Sequence, residues 1–377
     1  MKIYKINKDS NFELLCESIN PTKIGFDIMF KKSKLNFILI KDIKLAAINI
    51  LKQDALCIGA ELVSPKNSIL GGDKISNALL IATNSQLSRL SEKEKLQDFG
   101  LNQLSKFLQQ NFTKPKYPKV MGIININEDS FNPQSRVNST NAIARITKFI
   151  EDGADYIDLG GVSSRPGSLY CGEDIEFERI KDLIIEIYKQ NLHEKVKFSL
   201  DSFSSKCLKF ALDNGFKMIN DISGDVTLTK LAKEYNASYV LMHMQNNPQN
   251  MQLAPKYDDL LGEIDQFFKD KLEKCECDEI YLDPGVGFGK TAKQNLILTK
   301  HLEHFLHFKK PILYGASRKS VIDFYSPSKV EDRLAGSLYL HLKAFENGAE
   351  ILRTHEVYEY KQMFRLHLAM NEIDDEL

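Results

Sequence analysis

The stretch 281-YLDPGVGFGKT-291 has an apolar strand, a carboxylate at its end, an Asp-Pro-Gly corner and a glycine-rich loop carrying a lysine. Its tail imitates a nucleotide-binding P-loop, GxxxxGK[ST], through Gly289-Lys290-Thr291. The first glycine of that motif would fall at position 284, which is Pro284. The dinucleotide fingerprint GxGxxG fails as well, because Gly285, Gly287 and Gly289 space as GxGxG. What remains is a buried strand that delivers Asp283 to its end and then turns sharply. The loop after it has a backbone that can pass close to a ligand. Lys290 either binds an anion or is solvated, and Phe288 is unusual in such a loop unless it packs on a ligand or a lid.

Outward from this unit the same grammar repeats. Apolar runs at 120–125, 156–161, 197–202, 218–223, 239–244, 280–285, 311–317 and 351–357 alternate with helix-patterned runs at 140–152, 174–191, 204–214, 227–236, 257–274, 292–308, 331–347 and 358–371. Near-continuous apolar strands suit a parallel sheet buried on both faces. Eight strand–helix units over about 250 residues predict a (β/α)8 barrel, with a doubly wound open sheet as the runner-up. The barrel domain is expected over 120–377. The segment 113–119, with two prolines and three lysines, reads as a linker. Residues 1–112 read as a small α+β domain with strands at 34–43, 57–63 and 77–83. Asn84 and Ser85 are candidate caps of a helix there, and a second helix follows near 100–110. No motif in this domain carries chemistry, so it is expected to be non-catalytic.

Composition excludes several classes. The 377 residues carry a formal net charge of −1, which argues against bulk binding to nucleic acid or a membrane surface. No apolar run reaches the length of a membrane span, and the N-terminus has no signal-peptide pattern. Six scattered cysteines fit a reduced, cytoplasmic protein. Cys275-Glu276-Cys277 lacks a matching pair and is a weak metal signal. His301, His304 and His307 recur every three residues in HLEHFLH. They read as the partly exposed face of a helix, and by themselves they are poor evidence for zinc.

Barrel active sites lie at the C-terminal ends of the strands. The strand candidates end in or carry Asn125, Asp158, Asp201, Asn220 with Asp221, His243, Asp283, Ser317-Arg318-Lys319, and Arg353 with His355. A single strand-end Asp is ordinarily a salt-bridge or cap partner, and His243 between two methionines reads as a hydrogen-bonded core residue. Convergence shifts the balance, because so many polar groups at one barrel end would be costly to bury without a ligand. Arg353 and His355 share a strand face next to Lys319, in the region where this fold usually binds phosphate. Asp201, Asn220 and Asp283 supply carboxylates and an amide for paired N–H donors of a flat amino-heterocycle. The residues thus point to a planar, amino-substituted ring joined to a phosphate or diphosphate.

The chain from about 119 to 365 resembles dihydropteroate synthase, of the pterin-binding barrel superfamily. The resemblance is carried by MGIININEDSF, GADYIDLGGVSSRPG, FSLDS, INDISG, LMHMQ, LDPGVGFGKT, GASRKS and ILRTHEV, in order and at strand ends. It implies condensation of 4-aminobenzoate with 6-hydroxymethyl-7,8-dihydropterin diphosphate, release of diphosphate with Mg²⁺, and a homodimer. By position, Asp201, Asn220, Asp283, Lys319 and Arg353 match the pterin set. Asn125, Ser164, Arg353 and His355 match the diphosphate side, with Asn125 toward the metal. Phe131, Arg165, Pro166, Phe288 and Ser317 match the 4-aminobenzoate side. The resemblance places Asn125, Asp201, Lys319, Arg353 and His355 in the catalytic set, acting by leaving-group stabilisation and positioning without a covalent nucleophile.

There are departures. Asn127 and Glu128 replace the Thr-Pro of the family's first loop, Val162 replaces a Glu in the second, and Ser164 replaces a Thr while keeping the hydroxyl. Two alternatives share the pocket: a pterin-dependent methyltransferase and a non-catalytic pterin-binding paralogue. The SRKS lysine and the Arg-x-His pair argue against the first. Only the altered first loop favours the second.

Overall fold

The computed structural model describes residues 1–70, 74–126, 135–162, 170–246, 250–251 and 254–373. The chain divides into two units, Met1–Asn111 together with His367–Leu377, and Phe112–Leu366.

In the first unit, helices Phe12–Glu17 and Lys23–Ser33 precede β1 (Leu35–Lys44), helix Leu45–Cys57, β2 (Glu61–Val63), β3 (Ile75–Thr83) and helices Asn84–Glu94 and Leu101–Leu108. The sheet is antiparallel in the order β1-β3-β2. The expected strand over 57–63 begins only at Glu61. The chain before it is helical because Leu45, Ile48, Leu51 and Ala55 recur at helical spacing and are buried together. The cap of helix Asn84–Glu94 is Thr83, one residue earlier than expected. Its hydroxyl accepts from the Gln86 backbone, and the Gln86 side chain returns a bond to the Thr83 N–H.

The second unit is the predicted (β/α)8 barrel. Its strands are β4 (Lys119–Asn125), β5 (Tyr156–Gly160), β6 (Lys197–Asp201), β7 (Met218–Asp221), β8 (Ser238–Met242), β9 (Ile280–Asp283), β10 (Ile312–Tyr314) and β11 (Ala349–Thr354). They pair in parallel and in sequence, and β11 closes on β4, which rules out the open-sheet alternative. Alternation along each strand sorts its residues. Val120, Ile157, Phe198, Leu200, Ile219, Tyr239 and Leu352 join the shell of helices. Met121, Tyr156, Met218, Val240, Tyr281, Leu313 and Ile351 form a separate buried cluster. The hydroxyls of Tyr156 and Tyr281 approach to 3.3 Å although β5 and β9 are not neighbours, so this cluster plugs the barrel interior. Two residues further along these strands stand Asp158, Asn220, Asp283 and Arg353, and β6 delivers Asp201 in register with Asn220. The apolar plug is therefore the floor of a polar pocket. Among the described residues, no helix is long and apolar enough to cross a membrane.

Candidate active site

Arg353 ties the acidic half of the pocket together. Its Nε donates to Asp158 Oδ2 at 2.6 Å and its terminal nitrogen to Asp201 Oδ2 at 2.8 Å. Asn220 Nδ2 donates to the same Asp158 oxygen at 2.9 Å. Asp158 is fully buried, and its Oδ1 has no hydrogen-bond partner among the described residues. Burial pushes the Asp201 carboxyl up, to about 7, against the pull of the Arg353 guanidinium. Burial works against the Arg353 charge, but Asp158 and Asp201 hold it firmly protonated. A fixed cation between two carboxylates keeps the Asn220 amide and the Asp201 carboxylate oriented toward the pocket.

The loop after β9 forms the opposite wall. Asp283 Oδ1 accepts the Gly285 N–H at 2.7 Å, closing the Asp-Pro-Gly corner. Gly285 has φ +71°, and a Cβ there would lie 1.9 Å from the His243 carbonyl oxygen, so only glycine fits. Lys290 neither faces solvent nor lies open to an anion. It is 2% exposed. Its ammonium meets His243 Nδ1 and the carbonyls of Gly285 and Phe288, each at 3.0 Å. Burial lowers its pKa to about 7, and burial first and Lys290 second hold His243 at about 3, so that ring is neutral and can accept. Lys290 is an internal strut of the glycine loop. Lys319, from the loop after β10, donates to the Val286 carbonyl and stands 4.5 Å from the centre of the Phe288 ring. Burial depresses it to about 8, with Asp283 opposing.

The third wall is the β10–β11 rim. Ser317 Oγ lies 2.9 Å from His355 Nδ1, and Arg318 pairs with Glu356. Beneath them His341 is fully buried, with Nε2 3.3 Å from the Ala316 N–H and also 3.3 Å from the Arg353 carbonyl. Burial lowers its pKa to about 4, so the ring stays neutral; with Nδ1 donating to the Ser337 carbonyl at 2.8 Å, Nε2 accepts the Ala316 N–H and braces the chain just after β10. Across the mouth, Asn125 ends β4 in register with Gly160, Asp201 and Asn220. Its Oδ1 overhangs the bare α-carbon of Gly160, where a Cβ would sit 3.2 Å away. One barrel mouth thus joins a carboxylate–amide wall to a Ser, His and Arg rim, with a half-buried lysine between them.

Residues 121–355 match the family described as pterin binding enzyme. The bifunctional dihydropteroate synthase/dihydropteroate reductase of Helicobacter pylori is 39% identical over 99% of this chain and 100% of its own length. The chain belongs to the dihydropteroate synthase family. The Escherichia coli dihydropteroate synthase is 35% identical over 69% of this chain and 94% of its own. A solved Xanthomonas albilineans dihydropteroate synthase with 4-aminobenzoic acid is 31% identical, covering 68% of this chain and 93% of that one with a TM-score of 0.61.

Within this dihydropteroate synthase barrel, Asn125, Asp201, Asn220, Asp283, Lys319, Arg353, His355, Ser317 and Phe288 meet at one mouth, as the strand-end pattern predicts. Phe131, Ser164, Arg165 and Pro166 lie outside the described residues. The sequence reading missed the role of one supporting residue and the presence of another. Asp158 was visible only as a strand-end carboxylate; its bond to Arg353 spans 195 residues of chain. His341 lies inside a helix pattern, and nothing local marks it.

Proposed function

We infer that this chain catalyses dihydropteroate synthesis. The C–O bond between the pterin methylene and diphosphate breaks with its electron pair going to diphosphate. The amine of 4-aminobenzoate bonds to the methylene carbon and loses one proton. The observation that carries this reading is the Asp158–Arg353–Asp201 cluster, walled by Asn220, Asp283 and Lys319, in a chain of this family. Asp201, Asn220 and Asp283 accept and donate along the edge of the pterin, Lys319 adds a donor, and the Arg353 plane is free to stack on the ring. His355 and Asn125 would face the leaving diphosphate from opposite sides of the mouth, and the family resemblance assigns Ser164 to the same group. Phe288 and Ser317 would line the 4-aminobenzoate side, to which the family resemblance also assigns Phe131, Arg165 and Pro166. Among the described residues no side chain is placed as a covalent nucleophile; rate comes from holding the amine against the methylene and stabilising departing charge.

Mg²⁺ fits this mouth. Asn125 offers one exposed amide oxygen next to Asp201, and Mg²⁺ prefers few protein ligands with substrate phosphates and waters completing its shell. Asn125 would hold it, and it would neutralise the leaving diphosphate. The homodimer and the cytoplasmic location rest on family resemblance; light scattering on the purified chain tests the first. The deciding experiment measures diphosphate release with dihydropterin diphosphate, 4-aminobenzoate and Mg²⁺. Release that depends on 4-aminobenzoate is expected. Binding of the pterin without turnover would make the chain a silent paralogue.

A second activity is supported by coverage. The relative named for both synthesis and reduction aligns with 99% of the chain, whereas the Escherichia coli enzyme, named for synthesis alone, aligns with 69%. We propose that the first unit serves reduction of the dihydropteroate formed by the barrel, taking two electrons and a proton from a hydride donor and a further proton from solvent. This departs from the non-catalytic role expected for residues 1–112. Loss of 7,8-dihydropteroate in the presence of a reduced nicotinamide or reduced flavin is the assay.

A further inference from the structure

The geometry points to a transition-metal site, of the zinc class, formed by Asp265, His304 and His307 on the outside of the barrel. The sequence offered histidines at a spacing of three with Glu303 among them, and that carboxylate is turned away to pair with Lys114 at 2.7 Å. The fold supplies the acid from helix Leu260–Leu272. His304 Nε2 lies 3.3 Å and His307 Nε2 2.5 Å from the same oxygen, Asp265 Oδ1. One ligand atom from each residue can be chosen so that all three lie within 4.8 Å of one another. In a tetrahedral zinc site with bonds of about 2.0–2.2 Å, neighbouring ligand atoms stand about 3.4 Å apart. The His304 separation already has that value, and the His307 pair must open by about 1 Å.

The backbone explains the convergence. The expected helix over 292–308 does not continue: the α-helix Ala292–Lys300 ends at His301, and Leu302–Phe308 is a 3₁₀-helix. With three residues per turn, positions 304 and 307 eclipse, so both rings leave the same side. Packing holds them there. Phe268, one turn beyond Asp265, has its ring centre 5.7 Å from that of Phe305 and 6.0 Å from that of Phe308, and the His307 ring lies tilted against Phe308 with centres 4.0 Å apart. The three ligand side chains are only 12–29% exposed, which limits their freedom before any ion arrives. Two imidazoles and one carboxylate leave a fourth position for water. They suit Zn²⁺, Co²⁺ or Ni²⁺ over Mg²⁺ or Ca²⁺, which prefer all-oxygen sets. On binding, each Nε2 becomes a ligand and its proton moves to Nδ1 or to solvent. The 3₁₀ segment of the site leads into β10, so the site lies at the barrel end opposite the catalytic mouth. Its effect is to clamp the helices of two successive strand–helix units.

The test uses the full chain stripped with a chelator. Titration with Zn²⁺, and with Co²⁺ followed by its d–d absorption, is compared between the native chain, Asp265→Asn and His304→Gln. One equivalent should bind the native chain, with affinity reduced at least about tenfold in each variant. Zn²⁺ should raise the melting temperature of the native chain only, reversibly on adding chelator. Dihydropteroate synthesis, unchanged in both variants, confirms that they fold. Equal affinity in all three chains would place the ion elsewhere and overturn the proposal. So would no binding by the native chain up to about 0.1 mM Zn²⁺.

Discussion

Lys319 is the residue whose chemistry is most exposed to test. Its folded pKa of about 8 lies below an ordinary lysine because burial disfavours the ammonium more than Asp283 restores it. The group is charged below about pH 8 and neutral above it, so a function that needs the cation declines as pH rises. The kcat/KM for the pterin diphosphate, which reports the free enzyme, should fall with a limb near pH 8. In Lys319→Arg that limb should move beyond the accessible range, because a guanidinium stays protonated. Lys319→Ala should cost roughly 1.5–3 kcal/mol of ligand stabilisation, about ten- to a hundredfold in kcat/KM, with an unchanged circular dichroism spectrum. Native turnover in a folded Lys319→Ala would reject its assignment.

Gly285 tests the loop at the same scale. Alanine there must hold φ near +71° and displace the His243 carbonyl that its Cβ would overlap. The left-handed conformation alone costs about 1–2 kcal/mol, before the clash is relieved. Gly285→Ala should therefore lower the melting temperature of the barrel. It should also weaken pterin binding by calorimetry, because moving Gly285 releases its bond to Asp283. A mutant with native pterin affinity would show that Asp283 does not depend on the corner.

Elements set what the pocket can do together. The strand period of two puts an apolar plug at one level and the polar groups at the next, so β5, β7, β9 and β11 each supply both floor and wall. The segments after β4 and β5 belong to the same scale. They carry Phe131, Arg165 and Pro166, proposed for 4-aminobenzoate, beside Asn125 and Ser164, proposed for diphosphate. A small acid has few atoms and so little binding free energy of its own. Diphosphate with Mg²⁺ is therefore expected to raise 4-aminobenzoate affinity, as positive coupling between neighbouring subsites. Calorimetric titration with and without diphosphate–Mg²⁺ at matched ionic strength measures it. Equal affinities would mean that the second pocket forms independently.

Across the whole molecule, the two units invite separation. The Escherichia coli relative corresponds to 69% of the chain, so the barrel is a complete synthase by itself in that protein. A chain starting at Thr113 should retain 4-aminobenzoate-dependent diphosphate release and lose reduction of dihydropteroate. A folded truncation that binds pterin but no longer synthesises would show that the first unit completes the barrel site. Solubility is the practical variable, since removing a unit can uncover apolar surface.

The sequence by itself determined the barrel, its strands to within a few residues, and the polar groups at the mouth. These are written locally: apolar runs bounded by turns, and an alternation that places every second side chain on one face. It also identified the glycine loop as something other than a P-loop, because one proline excludes that motif. Only the tertiary structure decided which polar groups are partners. Lys290 looked like an anion ligand or a solvated group until folding buried its ammonium among three loop acceptors. Asp158 acquired its role from Arg353, and the histidines of HLEHFLH acquired Asp265 from another helix. Such pairings join residues distant along the chain, and their strength depends on burial and on distances of an ångström or less. A linear pattern carries neither quantity.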